Sequence, residues 1–444
     1  PTWAPRFTFD GKALAWMLIG YGFVAAVLPV WMLLAPRDYL STFLKIGTVA
    51  LLAVAIFIAM PDLKMPAMTR FVDGTGPVFA GALFPFLFIT IACGAISGFH
   101  ALVASGTTPK MISNEREIRA IGYGGMLMEA FVAVMALIAA CVLDPAVYFA
   151  MNAPAAALGP TVDTAAQAIA QWGFTITPAQ LTQTAVDIGE TTILSRVGGA
   201  PTLAVGMAQL LHGIAGGTGM MAFWYHYAIL FEALFILTTI DAGTRVARFM
   251  IQEVAGLAMP SFRRTESWTA NLACTALAVS GWGWFLYQGI VDPLGGINTL
   301  WPLFGIANQM LAGLAMIFVC AALVKMKRER YLWVAAVPTL WLLICTITAG
   351  WQKLFHADPK IGFLANAARF SEALARGEIL APATSLAQME RVIFNNRLDA
   401  ALCALFMAVV VLTLVFAMRA AFRARRSATP TAQETPYAAL DAVR

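Results

Sequence analysis

Charge is what this 444-residue chain has least of: 12% of its residues are Asp, Glu, Lys or Arg, against 60% hydrophobic. A soluble domain carries about 25% charged residues. Half that share on so long a chain excludes an ordinary globular enzyme, a disordered regulator and a fibrous protein. Only a bilayer hides so much apolar side chain. The net charge of +5 is then read as topology rather than as affinity for nucleic acid. Cysteine is also sparse. Cys93, Cys141, Cys274, Cys320, Cys345 and Cys403 are scattered through apolar runs, with no CxxC and no His/Cys cluster. A disulfide framework and a structural metal site are therefore not expected, nor is any cofactor. No Walker A, HExxH or Ser/His/Asp arrangement is found, so neither catalysis nor ATP-driven pumping has support. Pro1-Thr2-Trp3 shows no initiating Met and no basic-then-apolar signal. The expectation is a piece of something longer, or a processed product.

What is present is a series of long apolar runs. A membrane helix needs about 20 mostly apolar residues. Nine candidates stand at 13–35, 39–60, 77–105, 119–144, 219–240, 269–292, 301–324, 331–351 and 399–418. A tenth stretch, 199–215, is short, Gly-rich and contains His212. Basic residues crowd the short loops of one side: Arg37, Lys110–Arg119, Arg245–Arg264, Lys325–Arg330 and the tail after Met418. That is the positive-inside pattern, and counting 199–215 as a full span breaks it. The stretch is therefore expected to be re-entrant or interfacial. The fold class is all-α and polytopic, with about nine spans, residue 1 periplasmic and residue 444 cytoplasmic. Odd parity with an outside start fits upstream helices that are missing here.

The long outside segments hold amphipathic patterns, at Asp163–Trp172, from Thr177-Pro178 onward, and around Leu364–Ala375. These predict periplasmic helical caps. The organisation expected is a four-helix core part at 1–144 and a periplasmic helical segment at 145–218. A five-helix module at 219–418 and a disordered cytoplasmic tail at 419–444 follow.

Polar groups within spans are costly and so mark candidate sites. Gly94, Ser97 and Gly98 fall in the middle of 77–105, with His100 just beyond. Two glycines each weaken a helix by about 1 kcal/mol. An unwound turn here would turn backbone groups toward a substrate, and a helix N-terminus would favour a carboxylate. Close packing through small residues is the plainer alternative. Thr107, Thr108 and Lys110 follow; Lys110 is a topology anchor or part of a gate. Glu129 and Glu232 are carboxylates inside spans and candidate proton carriers. Asp241, with Arg245 four residues on, predicts a helix-end ion pair. Asn308 and Gln309 are an uncharged hydrogen-bonding pair, either interhelical glue or a lining of the path.

The stretches Leu28–Gly47, Phe84–Met111, Ile121–Glu129, Phe231–Arg245 and Asp292–Gln309 together resemble the carbon starvation protein A (CstA) family. The resemblance runs essentially to the tail. It implies an inner-membrane uptake protein linked to nutrient starvation. Peptide uptake is the leading activity, and proton-coupled pyruvate uptake the alternative. It implies an architecture like the amino acid–polyamine–organocation (LeuT-like) transporters, with broken helices at midplane. Full members are longer at the N-terminus, so the chain looks like the C-terminal portion only. Their upstream GAGPL-type segment looks like one half of a broken-helix pair, with Gly94–Gly98 the other. The partners implied are the bilayer, protons, a small-molecule substrate and the missing N-terminal helices. Nucleic acid is not among them. A membrane sensor or assembly subunit without transport is the competing reading, distinguished by deleting 419–444.

Overall fold

The computed structural model describes residues 8–217, 219–263, 267–291 and 297–432; these are helical, with no strand among them. In chain order the α-helices are α1 (Gly11–Val27), α2 (Leu34–Ala59), α3 (Leu83–Ile91), α4 (Gly98–Gly106), α5 (Glu117–Val142), α6 (Pro145–Asn152), α7 (Ala155–Leu158), α8 (Val162–Gln171), α9 (Pro178–Asp187), α10 (Gly199–Ile214), α11 (Met220–Ala258), α12 (Trp268–Val291), α13 (Ile297–Lys325), α14 (Leu332–Phe355), α15 (Phe363–Ala375) and α16 (Leu386–Arg426).

Six stretches are long and apolar enough to cross a membrane: α2, α5, α11, Leu303–Lys325 of α13, Glu329–Phe355 with α14, and α16. The other three expected spans differ in kind. α1 is apolar but only 17 residues long. The run 77–105 is broken into α3 and α4, nine residues each. α12 is 24 residues long, but its apolar character is diluted by Asn271, Thr275, Ser280, Gln288 and its glycines. α11 and α16 have 39 and 41 residues. At 1.5 Å per residue each is roughly 60 Å long, about twice a hydrocarbon core. Trp31, Phe57, Trp333 and Phe416 lie on the surface, each more than half exposed. This is the outward-facing apolar coat that lipid would cover.

Contacts divide the chain into two units, Pro1–Ala80 with Leu102–Asn298, and Gly81–Ala101 with Thr299–Arg444. This partition differs from four consecutive segments because the broken stretch leaves one unit and joins the other.

In the first unit, α10 packs on α11, α2, α5 and α6. It is one continuous helix whose Ala204, Val205, Met207 and Ala208 are fully buried in the unit's core. α10 runs from Gly199 to Ile214 without turning back, and its surroundings in this unit are other helices. Gly206 permits this, because a Cβ there would strike the backbone of Ala139 on α5. Gly206 thus serves close approach, while a Cβ at Gly199 or Gly213 would meet open space. The predicted amphipathic segments form as α8, α9 and α15. Thr161 with Thr164, and Thr177 with Gln180, close reciprocal capping boxes at the first two.

In the second unit, α3 packs against α14, and α15 against α14 and α16. The tail expected to be disordered from 419 is helical as far as Arg426. Residues 433–444, and Asp292–Gly296 of the family-like motif, lie outside the described residues.

Candidate functional site

The feature that the glycines of 94–98 predicted is present. α3 ends at Ile91, tightens into a 3-10 turn at Ala92–Gly94, loses helical form at 95–97, and resumes as α4 at Gly98. A break of this kind leaves carbonyls without donors on one side and N–H groups without acceptors on the other. Each side finds a partner. Ser97 caps the new helix: its Oγ accepts the backbone N–H of His100 at 3.0 Å. Ser97 Oγ also lies 2.6 Å from His100 Nδ1 and accepts from Cys93 Sγ at 2.8 Å.

The adjacent pair on α13 holds both lips of the break. Gln309 Nε2 donates to the carbonyl of Phe88 at 2.6 Å, on the outgoing half. Asn308 Oδ1 accepts from the N–H of Phe99 at 3.0 Å, on the incoming half. Both side chains are buried, and Asn308 Nδ2 has no hydrogen-bond partner. Glycine lets α13 come this close. A Cβ at Gly305 would meet the Ile89 carbonyl at 2.6 Å, and one at Gly98 would run into the backbone of Asn308 and Ala312. Of the two roles expected for Asn308 and Gln309, the geometry displays the interhelical one. Replacing either residue by Ala is expected to cost about 1–2 kcal/mol of stability, read by thermal unfolding in detergent, because a buried backbone group loses its partner.

The remaining predicted residues lie in the first unit. Thr107 is buried and donates to the Val103 carbonyl at 3.3 Å; Thr108 donates to the same carbonyl at 3.1 Å. Both therefore close the C-terminal end of α4. The backbone of Lys110 forms the last residue of a short 3-10 turn; its side chain lies outside the described residues. Glu129 sits on an exposed face of α5, and Glu232 is half-buried on α11.

A charged network in the first unit was not foreseen. Asp241, on α11, is 0% exposed. It pairs with Arg37 of α2 at 2.7 Å and accepts from Tyr21 of α1 at 2.9 Å. The predicted Asp241–Arg245 pair is thus corrected. Arg245 and Arg248 are buried and donate to the carbonyls of Ala25 and Ala26, with Arg248 also bonding Asn271. They cap the C-terminus of α1, so neither is a loop residue, and Arg37 too belongs to a helix. Lys45 donates to Thr238 at 2.9 Å and lies 5.0 Å from the centre of the Phe235 ring. In the second unit, Lys353 and Asp399 are nearly fully buried, Lys353 over the Phe86 ring and Asp399 one turn before Cys403. The signal that marks these is an ionisable residue within or beside an apolar run; Lys45 falls inside an expected span, whereas loop counting places the arginines, Asp241 and Lys353 at or beyond span ends.

Comparison with known proteins follows the same lines. A family model described as Carbon starvation protein CstA matches residues 1–349. The chain is 63% identical to the peptide transporter CstA of Escherichia coli (strain K12), over 98% of this chain and 63% of that protein. It is 51% identical to the pyruvate/proton symporter BtsT of the same organism, over 98% and 64%. The peptide transporter CstA of Mycobacterium tuberculosis (strain H37Rv) is 50% identical, over 98% and 58%. The chain thus spans less than two-thirds of the length of these relatives, and the shares do not place it at either end of them. No solved structure matches.

Proposed function

This chain belongs to the carbon starvation protein CstA family, and we propose that it works in an inner-membrane secondary transporter that takes up peptides in symport with protons. The observation that carries transport, rather than anchoring, is the helix interrupted at 95–97 and held on both sides by Asn308 and Gln309. Non-helical backbone at membrane depth is tolerated where it is buried in protein or lines a cavity, and broken helices of this kind build substrate sites. Gly94, Ser97, Gly98, His100, Asn308 and Gln309 form the proposed binding region. The N-terminus of α4 and the unpaired Asn308 Nδ2 suit a peptide's carboxylate and carbonyl oxygens. Glu129 and Glu232 are proposed proton carriers, and Thr107, Thr108 and Lys110 the gate at the far end of α4.

The finer architecture belongs to the same proposal. It comprises nine spans in a LeuT-like arrangement, residue 1 and the caps α8, α9 and α15 periplasmic, and the tail cytoplasmic. A small carboxylate is the second substrate reading, favoured by the 51% identity to a pyruvate/proton symporter. Uptake of labelled dipeptide and labelled pyruvate by cells making the native protein decides between them. Peptide should accumulate, several-fold less in Ser97→Ala and Glu129→Gln. Accumulation of pyruvate alone overturns the peptide reading. Unchanged, still pH-dependent uptake in both variants overturns the residue assignment.

A further inference from the structure

We propose that Asp241 is a further proton carrier beside Glu129 and Glu232, with Arg37 as the counter-charge that its protonation releases. This rests on the reading of the protein as a proton-driven transporter.

The two oxygens of the carboxylate differ. Oδ2 accepts from Tyr21 Oη at 2.9 Å and forms an ion pair with Arg37 Nη1 at 2.7 Å. Oδ1 is buried and has no hydrogen-bond partner. A buried carboxylate oxygen left without a donor is an open position for a proton.

The next question is what protonation would leave behind. Breaking a buried ion pair is usually severe, because the surviving charge has no compensation. Here it has one. Arg37 Nη2 also pairs with Asp38 at 2.6 Å and donates to Thr238 Oγ1 at 3.1 Å. Asp38 is about one-third exposed, against none for Asp241. The guanidinium therefore stands between a wet carboxylate and a dry one. Neutralising the dry one leaves it still paired, and that makes the site reversible.

The surroundings are accounted for element by element. On α1 the facing ionisable group is Tyr21, whose hydroxyl also accepts from Arg37 at 2.5 Å. On α2 they are Arg37 and Asp38, with Lys45 linked through Thr238. On α11 itself, Arg245 and Arg248 are turned to the α1 carbonyls. On α12, Cys274 lies beside Arg248. α10 carries only His212, in its last turn. Arg37, Lys45, Arg245 and Arg248 already outnumber Asp38 and Asp241, and Arg245 acts on Asp241 through space. One added proton removes the attraction that holds Arg37 to Asp241 and leaves the one to Asp38.

The step is a proton transfer alone. A proton delivered by water forms an O–H bond at Asp241 Oδ1, and Arg37 shifts its pairing to Asp38. On the other side of the cycle that bond breaks to water and the Arg37–Asp241 pair re-forms. Glu232, nine residues earlier on α11, has no ion pair of this kind among the described residues.

The test uses the native protein in proteoliposomes, with labelled dipeptide and labelled pyruvate as parallel probes. Asp241→Asn should lose accumulation driven by an inward proton gradient by at least tenfold. It should keep gradient-free counterflow within about threefold, now independent of pH. Asp241→Glu should restore part of the accumulation. Gradient-driven accumulation that survives in Asp241→Asn overturns the proposal. So does loss of folded protein in both Asp241→Asn and the neutral double variant Arg37→Gln/Asp241→Asn, which would make the pair structural. A readout free of substrate separates this from the transport reading. Infrared difference spectra between high and low pH should show a protonated carboxyl band that is larger in wild type than in Asp241→Asn, by one carboxyl group. A band of equal size in both proteins overturns Asp241 as carrier whatever is transported, whereas wild type that moves neither probe overturns the transport reading alone.

Discussion

Gly98→Val should abolish peptide uptake and remove most of the folded protein, while Gly94→Ala should leave the yield of folded protein near wild type. The two glycines are four residues apart and look equivalent in the chain. Their surroundings differ. A Cβ at Gly94 would meet only Ile91 Cγ2, at 3.4 Å, an ordinary contact. A Cβ at Gly98 would overlap the Asn308 carbonyl, and would lie 2.6 Å from Leu311 Cβ and 2.9 Å from Ala312 N. Two of these three are backbone atoms of α13 and cannot rotate away. Room appears only if α13 and the start of α4 separate, which also breaks the Phe99–Asn308 bond. Overpacking costs about 1–3 kcal/mol, and an orphaned buried N–H adds about 1–3 kcal/mol. Together they are comparable to the whole stability of a marginal protein. Yield of folded protein, thermal unfolding in detergent and labelled-peptide uptake read the outcome. A folded, active Gly98→Val would mean that the lips of the break are not held by α13.

How far this site was legible in the sequence follows from the range of the interactions. The break itself is a local matter of Gly94, Ser97 and Gly98, and composition alone points to it. The helices α8 and α9 are equally local, since Thr161 and Thr177 write their own helix starts. The staple across the break is not local. Asn308 bonds Phe99 across 209 residues, and Gln309 bonds Phe88 across 221. Single-sequence reasoning could name the amide pair but not its partners. Asp241 was misread for a related reason. The i,i+4 rule offered Arg245 as its partner, and on an isolated helix that would be right. In the fold, Arg37 arrives from α2 to pair with Asp241, and Arg245 donates to the Ala25 carbonyl of α1. α10 is long-range in the same way: Gly206 lies against the Ala139 backbone of α5, a contact that the chain alone does not announce.

The arginines at the end of α1 separate two explanations that the sequence alone confounds. If Arg245 and Arg248 matter only as positive charge near a span end, Arg248→Lys is silent, since lysine serves the positive-inside rule equally well. The structure assigns them a different task. Arg248 Nη1 donates to the Ala26 carbonyl at 2.9 Å and also bonds Asn271, while Asn271 Nδ2 donates to the Val27 carbonyl at 3.3 Å. Arg245 Nη2 reaches the Ala25 carbonyl at 2.5 Å. Three consecutive carbonyls at the negative end of a helix dipole are thereby satisfied by side chains of α11 and α12. Both bonds leave the same nitrogen, Nη1, and a lysine ammonium sits one covalent bond nearer the backbone, so it falls short of Ala26 and Asn271. Arg248→Lys should therefore lose about 1–2 kcal/mol although the charge is kept. Arg245→Met/Arg248→Met should lose about 2–5 kcal/mol. The lower figure assumes the weak interhelical bonds measured in membranes, about 0.6 kcal/mol each on average; the upper assumes charge-assisted bonds at about 1.5–3 kcal/mol. Removing the buried charges recovers some desolvation, but the carbonyls cannot be removed with them, and that sets the sign. Unfolding of the variants in detergent, compared at matched expression, measures both. A silent Arg248→Lys with a destabilised double variant would return these residues to the role of charge alone.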